Sequence, residues 1–245
     1  MVMKGLPSSL MSSYSALMTR FSFLPFTSKE AREALGAGAP TSVILHRLRE
    51  RGWADGFGKG RYRLVHPLVA ALQGPGEGWR AQAIDRMRLP IIELALARLL
   101  EEFGPRLWSL LLFGSLARNQ AREESDIDLL LVAEGLPQRY ARRTRLLNSI
   151  LDSGPIREWQ RLLWREARLY PVIDIIPLRP DEALTTHPFY LDMTEHVLFL
   201  LDREGFMRRK LAELRRQLEG IGARKVLLPG GGYYWMLPQR QEAVP

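Results

Sequence analysis

The sequence contains no cysteine, so disulfides, thiolate metal sites and cysteine nucleophiles are all excluded. Histidine is scarce. His46, His66, His187 and His196 form no ligand-like cluster, which argues against a zinc site. Any bound cation must therefore be held by carboxylates, and that favours magnesium or manganese. Long apolar runs are missing as well. The strongest, Leu107–Phe113 and Val197–Leu201, are far too short to span a bilayer. Ser8, Ser9, Ser12, Ser13 and Ser15 interrupt the N-terminal stretch, so no signal-peptide core forms there. The expectation is a cytoplasmic protein with no membrane partner.

What is present is enough to build a core. The chain has 245 residues, 46% of them hydrophobic and 25% charged, which fits one large domain or two small ones. The formal charge is +8 and the isoelectric point about 10.1, a balance that attracts polyanions such as nucleic acid or nucleotides. Three regions separate: 1–73, then 79–180, then a helical segment with a short hairpin tail over 181–245. The stretch from Gly74 to Gly78 is dense in glycine and proline and reads as the linker between the first two.

In the first region, Thr27-Ser28-Lys29-Glu30 predicts a capping box opening a short helix to Leu35. After a glycine-rich turn, Thr41 or Ser42 is placed to cap a second helix, Val43 to Arg51, which Gly52 ends. Two short strands, Trp53–Ala54 and Arg61–Val65, follow around a glycine-rich hairpin. Helix, turn, helix and basic hairpin together resemble a winged helix-turn-helix domain. Between Lys29 and Arg63, eight basic residues (Lys29, Arg32, Arg47, Arg49, Arg51, Lys59, Arg61, Arg63) face four acidic ones (Glu30, Glu33, Glu50, Asp55). That excess suits duplex DNA, with Arg47, Arg49 and Arg51 on the second helix and Lys59 and Arg61 on the hairpin as the contact residues. The other reading is a winged helix used for protein contacts or dimerisation.

The second region carries the chemistry. A helix from Pro90 to Phe103 stops at Gly104-Pro105. Leu107–Phe113 then reads as a strand buried on both faces, followed by Gly114-Ser115-Leu116-Ala117-Arg118. Next, Ser125-Asp126-Ile127-Asp128-Leu129-Leu130-Leu131-Val132 is a second buried strand, apolar except for its two carboxylates. Period-two alternation puts Asp126 and Asp128 on one face. Two such charges are costly together unless a cation lies between them, so the pair predicts a divalent-metal clamp. Gly114-Ser115, where a strand gives way to a short helix, lets backbone amides and a hydroxyl approach a phosphate. A third strand candidate, Tyr170 to Pro177, holds Asp174 in its middle, where a neighbouring strand would bring it beside the first pair. Three carboxylates at one site are what two-metal phosphoryl chemistry requires.

Leu112-Phe113-Gly114-Ser115, ten residues from Leu116 to Ser125, then Asp126-Ile127-Asp128 resembles the signature of polymerase-β-like nucleotidyltransferases, the minimal nucleotidyltransferase group above all. The resemblance covers roughly Leu107 to Pro177. It implies an α/β fold, a small mixed sheet flanked by helices, here preceded by the winged helix-turn-helix domain. It implies that Gly114 and Ser115 hold the phosphates of a nucleoside triphosphate, ATP among them. Asp126 and Asp128 would bind the metals, and Asp174 the second metal while helping to deprotonate the attacking hydroxyl. The reaction implied is transfer of a nucleoside monophosphate, with release of pyrophosphate, to a protein, an RNA end or a small molecule. Antitoxin-like modification of a partner toxin protein lies within that range. Arg118 and Arg122 read first as solvated surface charges and second as phosphate contacts.

The remaining helices read mainly as packing. Between Arg139 and Tyr170, Trp159, Leu162, Leu163 and Ala167 form one face, and Arg157, Arg161, Arg165 and Arg168 another that suits an acidic partner. Met207, Leu211, Leu214 and Leu218 fit core packing or a dimer contact, so a homo-oligomer stays open. The rival to an enzyme is a DNA-binding regulator whose nucleotidyltransferase fold senses nucleotide. Three intact carboxylates argue against an inert scaffold, which would gain from apolar residues at those positions.

Overall fold

The computed structural model describes residues 5–72, 78–82, 85–229 and 232–238. The expected linker, from Gly74 to Gly78, lies outside the described residues except for Gly78, and so do Gly230 and Gly231 of the expected tail turn.

The first helix starts earlier in the chain than the sequence suggested. The serine-rich stretch forms α1 (Ser8–Phe21), because Leu10, Tyr14 and Leu17 recur at helical spacing and bury one face. β1 (Phe26–Thr27) leads into α2 (Ser28–Leu35). The predicted capping box is present: Glu30 N donates to Thr27 Oγ1 at 3.2 Å and Thr27 N to Glu30 Oε2 at 2.7 Å. A cap of this kind contributes about 1 kcal/mol. α3 (Thr41–Glu50) begins at Thr41 itself, preceded by Pro40, and has no side-chain cap; the Thr41 hydroxyl points back to Ala39 O. β2 (Ala54–Gly56) and β3 (Arg61–Leu64) form the expected hairpin, and β1 joins it in the order β1-β3-β2.

α4 (Pro67–Leu72) and α5 (Trp79–Gln82) lead to α6 (Leu89–Phe103), which is buried along most of its length. β4 (Leu107–Leu112), the single turn α7 (Gly114–Ala117) and β5 (Ile127–Ala133) come next. α8 (Tyr140–Leu151) and α9 (Gly154–Ala167) precede β6 (Ile173–Leu178), with Gly154-Pro155 opening α9. After α10 (Pro180–Leu184) and α11 (Tyr190–Met193), β7 (Leu198–Asp202) returns to the sheet. The segment expected to be helical thus contributes a strand. α12 (Phe206–Gly220) and the hairpin β8 (Arg224–Leu227) and β9 (Tyr233–Met236) end the described chain. No described helix is long and apolar enough to cross a membrane.

The central sheet runs β6-β5-β4-β7 and is mixed: β5 and β6 are parallel, and the pairings of β4 with β5 and with β7 are antiparallel. Alternation sorts its side chains into two layers. Leu110, Leu112, Ile127, Leu129, Leu131 and Ile175 face a layer shared with α6, α8, α9 and the whole N-terminal unit. Leu111, Leu130, Val132 and Leu178 face α10, α11 and α12, where Met207, Leu211, Leu214 and Leu218 are buried as core.

The first of these layers is continuous from Leu6 to Leu200. The N-terminal unit is fastened to it by charge as well. Arg63 on β3 and Arg80 on α5 both grip Glu93 of α6, at 2.6 and 2.7 Å, and both reach Asp55 of β2, at 2.7 and 2.6 Å. Glu93 is only 1% exposed, and two cations balance two anions, so no buried charge is left over. The two arginines hold its carboxyl below the ordinary range although burial alone would raise it. Next to this quartet, the Arg61 guanidinium forks onto Glu166 of α9 with two bonds of 2.8 Å, and Trp159 Nε1 donates to Phe23 O at 3.1 Å.

Candidate active site

The site grows from one end of the sheet. In β5, Asp128 has the same parity as Leu130 and Val132, so its carboxylate stands on the α12 side of the sheet, beyond the apolar cover. In β6, Asp174 has the same parity as Ile176 and Leu178. The two strands are parallel, and their register sets Asp128 directly beside Asp174. Neighbouring strands lie about 4.8 Å apart, so these carboxylates are neighbours by construction. Asp126 falls one residue before β5 begins, at the end of the loop from α7. The sequence placed it inside the strand; the structure puts it at the mouth.

Electrostatics report the same proximity. The Asp128 carboxyl is pushed above its ordinary value, first by burial, then by the charges of Asp174 and Asp126, with Arg118 opposing. Asp126 and Asp174 are exposed and Asp128 is half-buried. Among the described residues, no three His, Cys, Asp or Glu side chains are gathered closely enough to form a ready metal cage. The carboxylates feel one another's charge without closing into one.

Gly114 explains why the opposing wall can come so near. Its φ is +70°, which costs an L-residue about 1–2 kcal/mol. A Cβ built there would stand 1.8 Å from Asp128 Oδ2. Only glycine lets the turn lie against the Asp128 carboxylate. Phe113 N donates to Asp128 O at 3.0 Å, locking that turn to β5. Ser115 follows and is half-buried. The predicted phosphate-approach residues and the predicted carboxylates are therefore brought together at one end of β5.

The other sequence candidates part company. Arg47, Arg49, Arg51 and Lys59 are exposed on α3, its end and the hairpin tip, and Arg49 lies over the Tyr62 ring at 6.0 Å. Arg61 is occupied by Glu166, and Arg63, counted in the basic excess, is buried with Glu93. The arginine face of α9 is exposed as expected, at Arg157, Arg161, Arg165 and Arg168. Two of the three aromatics of the tail turn inward, with Tyr233 Oη and Trp235 Nε1 both donating to Asp192, at 2.6 and 3.0 Å, while Tyr234 is exposed. Sequence reasoning undervalued Arg118, whose charge reaches Asp128; its position four residues after Gly114, at the end of a one-turn helix, was the available signal.

Comparison with known proteins fits this geometry. Residues 94–190 match the family model described as a nucleotidyltransferase domain. A curated relative from Methanocaldococcus jannaschii, named "Putative protein adenylyltransferase", is 40% identical over 67 residues, 27% of this chain and 46% of that one. The match thus spans less than half the relative's length. Among solved structures, a toxin–antitoxin with AMP-PNP aligns with 52% of this chain and 90% of its own at 14% identity and a TM-score of 0.31. A complex of a tri-AMPylated Shewanella oneidensis HEPN toxin with an MNT antitoxin aligns with 56% and 92%, at 15% identity and a TM-score of 0.30. Likenesses that loose support no shared activity. Residues 94–190, the stretch that matches the nucleotidyltransferase domain model, include Gly114, Ser115, Asp126, Asp128 and Asp174.

Proposed function

We propose that this chain is a metal-dependent nucleotidyltransferase that moves a nucleoside monophosphate, AMP in the first instance, from a nucleoside triphosphate to a hydroxyl of a partner protein. The observation that carries the reading is the fit of Gly114 against Asp128 beside the paired register of Asp128 and Asp174. The relative's name supports protein as acceptor and adenylyl as the group moved. The donor set also fits magnesium or manganese, since the three carboxylates offer hard anionic oxygens. Asp126, Asp128 and Asp174 would hold such ions, which when bound offset the charge of the triphosphate.

The chain's own residues do the rest. The turn at Gly114 and Ser115 presents amides and a hydroxyl to phosphate oxygens. α7 has only four residues, so those direct donors, rather than a helix dipole, provide the grip. The acceptor oxygen attacks the α-phosphorus, the bond to the β-phosphate oxygen breaks, and pyrophosphate departs. Asp174, exposed at the rim, accepts the hydroxyl proton.

The test uses radiolabelled nucleoside triphosphates with magnesium, with and without cell extract. Asp128→Asn should lose transfer by several orders of magnitude. Its fold should hold or gain stability, because a half-buried carboxylate crowded by two others is neutralised. Full transfer in Asp128→Asn would reject this site.

A second reading concerns the N-terminal unit. Its order of helix, short strand, two helices and hairpin, with sheet order β1-β3-β2, favours a winged helix-turn-helix. Arg47, Arg49, Arg51 and Lys59 would then meet duplex phosphates or bases, as in a DNA-binding regulator. Arg61 could join them only by leaving Glu166. Duplex affinity that falls steeply with salt and drops in Arg47→Glu would support this second role.

A further inference from the structure

We infer that Arg88, which lies outside the nucleotide-facing residues, is a positioning residue for Asp126. The inference rests on the transferase reading of that site. Asp126 is exposed and stands before the first residue of β5, so the sheet does not hold it from both sides. After it, Ile127 N donates to Val172 O at 2.8 Å. Before it comes the loop from α7, a turn in which Ser125 N donates to Arg122 O at 3.2 Å and Arg122 N donates to Ser125 Oγ at 2.8 Å. Loop backbone of this kind lacks the regular ladder of helix or strand, so a side-chain donor from elsewhere can fix it in place.

Arg88 is that donor. It is buried, 3% exposed, immediately before α6. Its Nη2 donates to two consecutive carbonyls, Arg122 O at 2.7 Å and Glu123 O at 2.8 Å. Its Nη1 meets Asp85 Oδ2 at 2.5 Å, while Asp85 Oδ1 accepts from Met87 N at 3.0 Å and Arg88 N at 2.9 Å. Asp85 therefore orients the guanidinium and braces the start of α6 at once. The rigid core helix, the fork and the turn make one continuous brace ending three residues before Asp126. A lysine has the charge but not the planar fork, so it cannot reproduce this geometry.

The experiment measures magnesium-dependent binding of AMP-PNP by calorimetry and transfer kinetics, with melting curves alongside. It compares wild type, Arg88→Lys, Asp126→Asn and the double variant. Arg88→Lys should weaken magnesium-dependent binding and lower kcat/KM by about tenfold or more, as displacement of a reacting group does. In the Asp126→Asn background the same change should cost little further, since there is no carboxylate left to place. A purely structural role would lower the melting temperature equally in both backgrounds, with additive losses in binding, and that result overturns the inference. So does an Arg88→Lys variant that binds and turns over like wild type. Ser125→Ala, which loosens the same turn without touching a buried charge, should shift binding in the same direction and replaces Arg88→Lys should the latter not fold; unchanged binding in it then overturns the inference. If wild type shows no magnesium-dependent nucleotide binding at all, the transferase reading falls first and this inference with it.

Discussion

At the scale of single residues, the site depends on one atom that is not there. Gly114 has no Cβ, and Asp128 Oδ2 stands where that atom would be. Gly114→Ala should cost more than the roughly 1–2 kcal/mol of its left-handed backbone, because the carboxylate must also move. The expected outcome is a lowered melting temperature together with loss of transfer. A variant that melts lower but transfers normally would show that the turn need not touch Asp128. This part of the site was legible in the sequence, since glycine after a buried strand and carboxylates two apart follow from local rules. Arg88 was not legible. Its partners are main-chain carbonyls 34 and 35 residues away, and every residue has a carbonyl. The sequence also started this strand two residues early, at Ser125, and so placed Asp126 inside it, because parity alone cannot say where pairing starts.

At the scale of elements, the hairpin of β2 and β3 was expected to face a polyanion through its arginines. Both hairpin arginines instead face the protein: Arg61 pairs with Glu166, and Glu93 is why Arg63 does. A carboxylate in a helix that is otherwise buried and apolar needs cations, and Arg63 and Arg80 supply them. Glu93→Ala should destabilise the protein by about 3–5 kcal/mol, the usual result of stranding buried charge, as read by chemical denaturation. A loss below about 1 kcal/mol would mean that water reaches the arginines. Removing Arg61 should matter far less, because both partners of that pair are near one-third exposed. Elements whose evidence is local, such as α2 with its capping box and the alternating strands β4, β5 and β6, were readable. α1 was passed over because its serines hide a three-residue apolar stripe. β7 was seen only as an apolar run, since no local signal names the strand it will pair with.

Across the whole molecule, acid should act through particular pairs as well as through net charge. Glu182 is held down to about 2, first by hydrogen bonds from the buried Arg143. A carboxyl lowered on folding contributes stability above its unfolded value, 4.5, and loses it as pH falls toward about 2. Glu182→Gln should therefore be less stable than wild type at neutral pH, and the gap should close through that window in acid titrations of unfolding. A gap that stays constant would place the stabilisation elsewhere.

The continuous layer from Leu6 to Leu200 has a consequence for how the protein can be taken apart. A boundary in sequence is here not a boundary in packing, because α6 and α9 are covered on one side by the N-terminal unit. Produced as separate polypeptides, 1–73 and 78–245 should each expose a broad apolar face and aggregate or bind chaperones when made alone. Made together, they should find each other and purify as a non-covalent pair that melts in one step. Such a pair would work as a split-protein reporter, with the ion cluster of Arg63, Arg80, Glu93 and Asp55 as its latch. Two soluble, independently melting fragments would show that the shared layer is contact without cooperation.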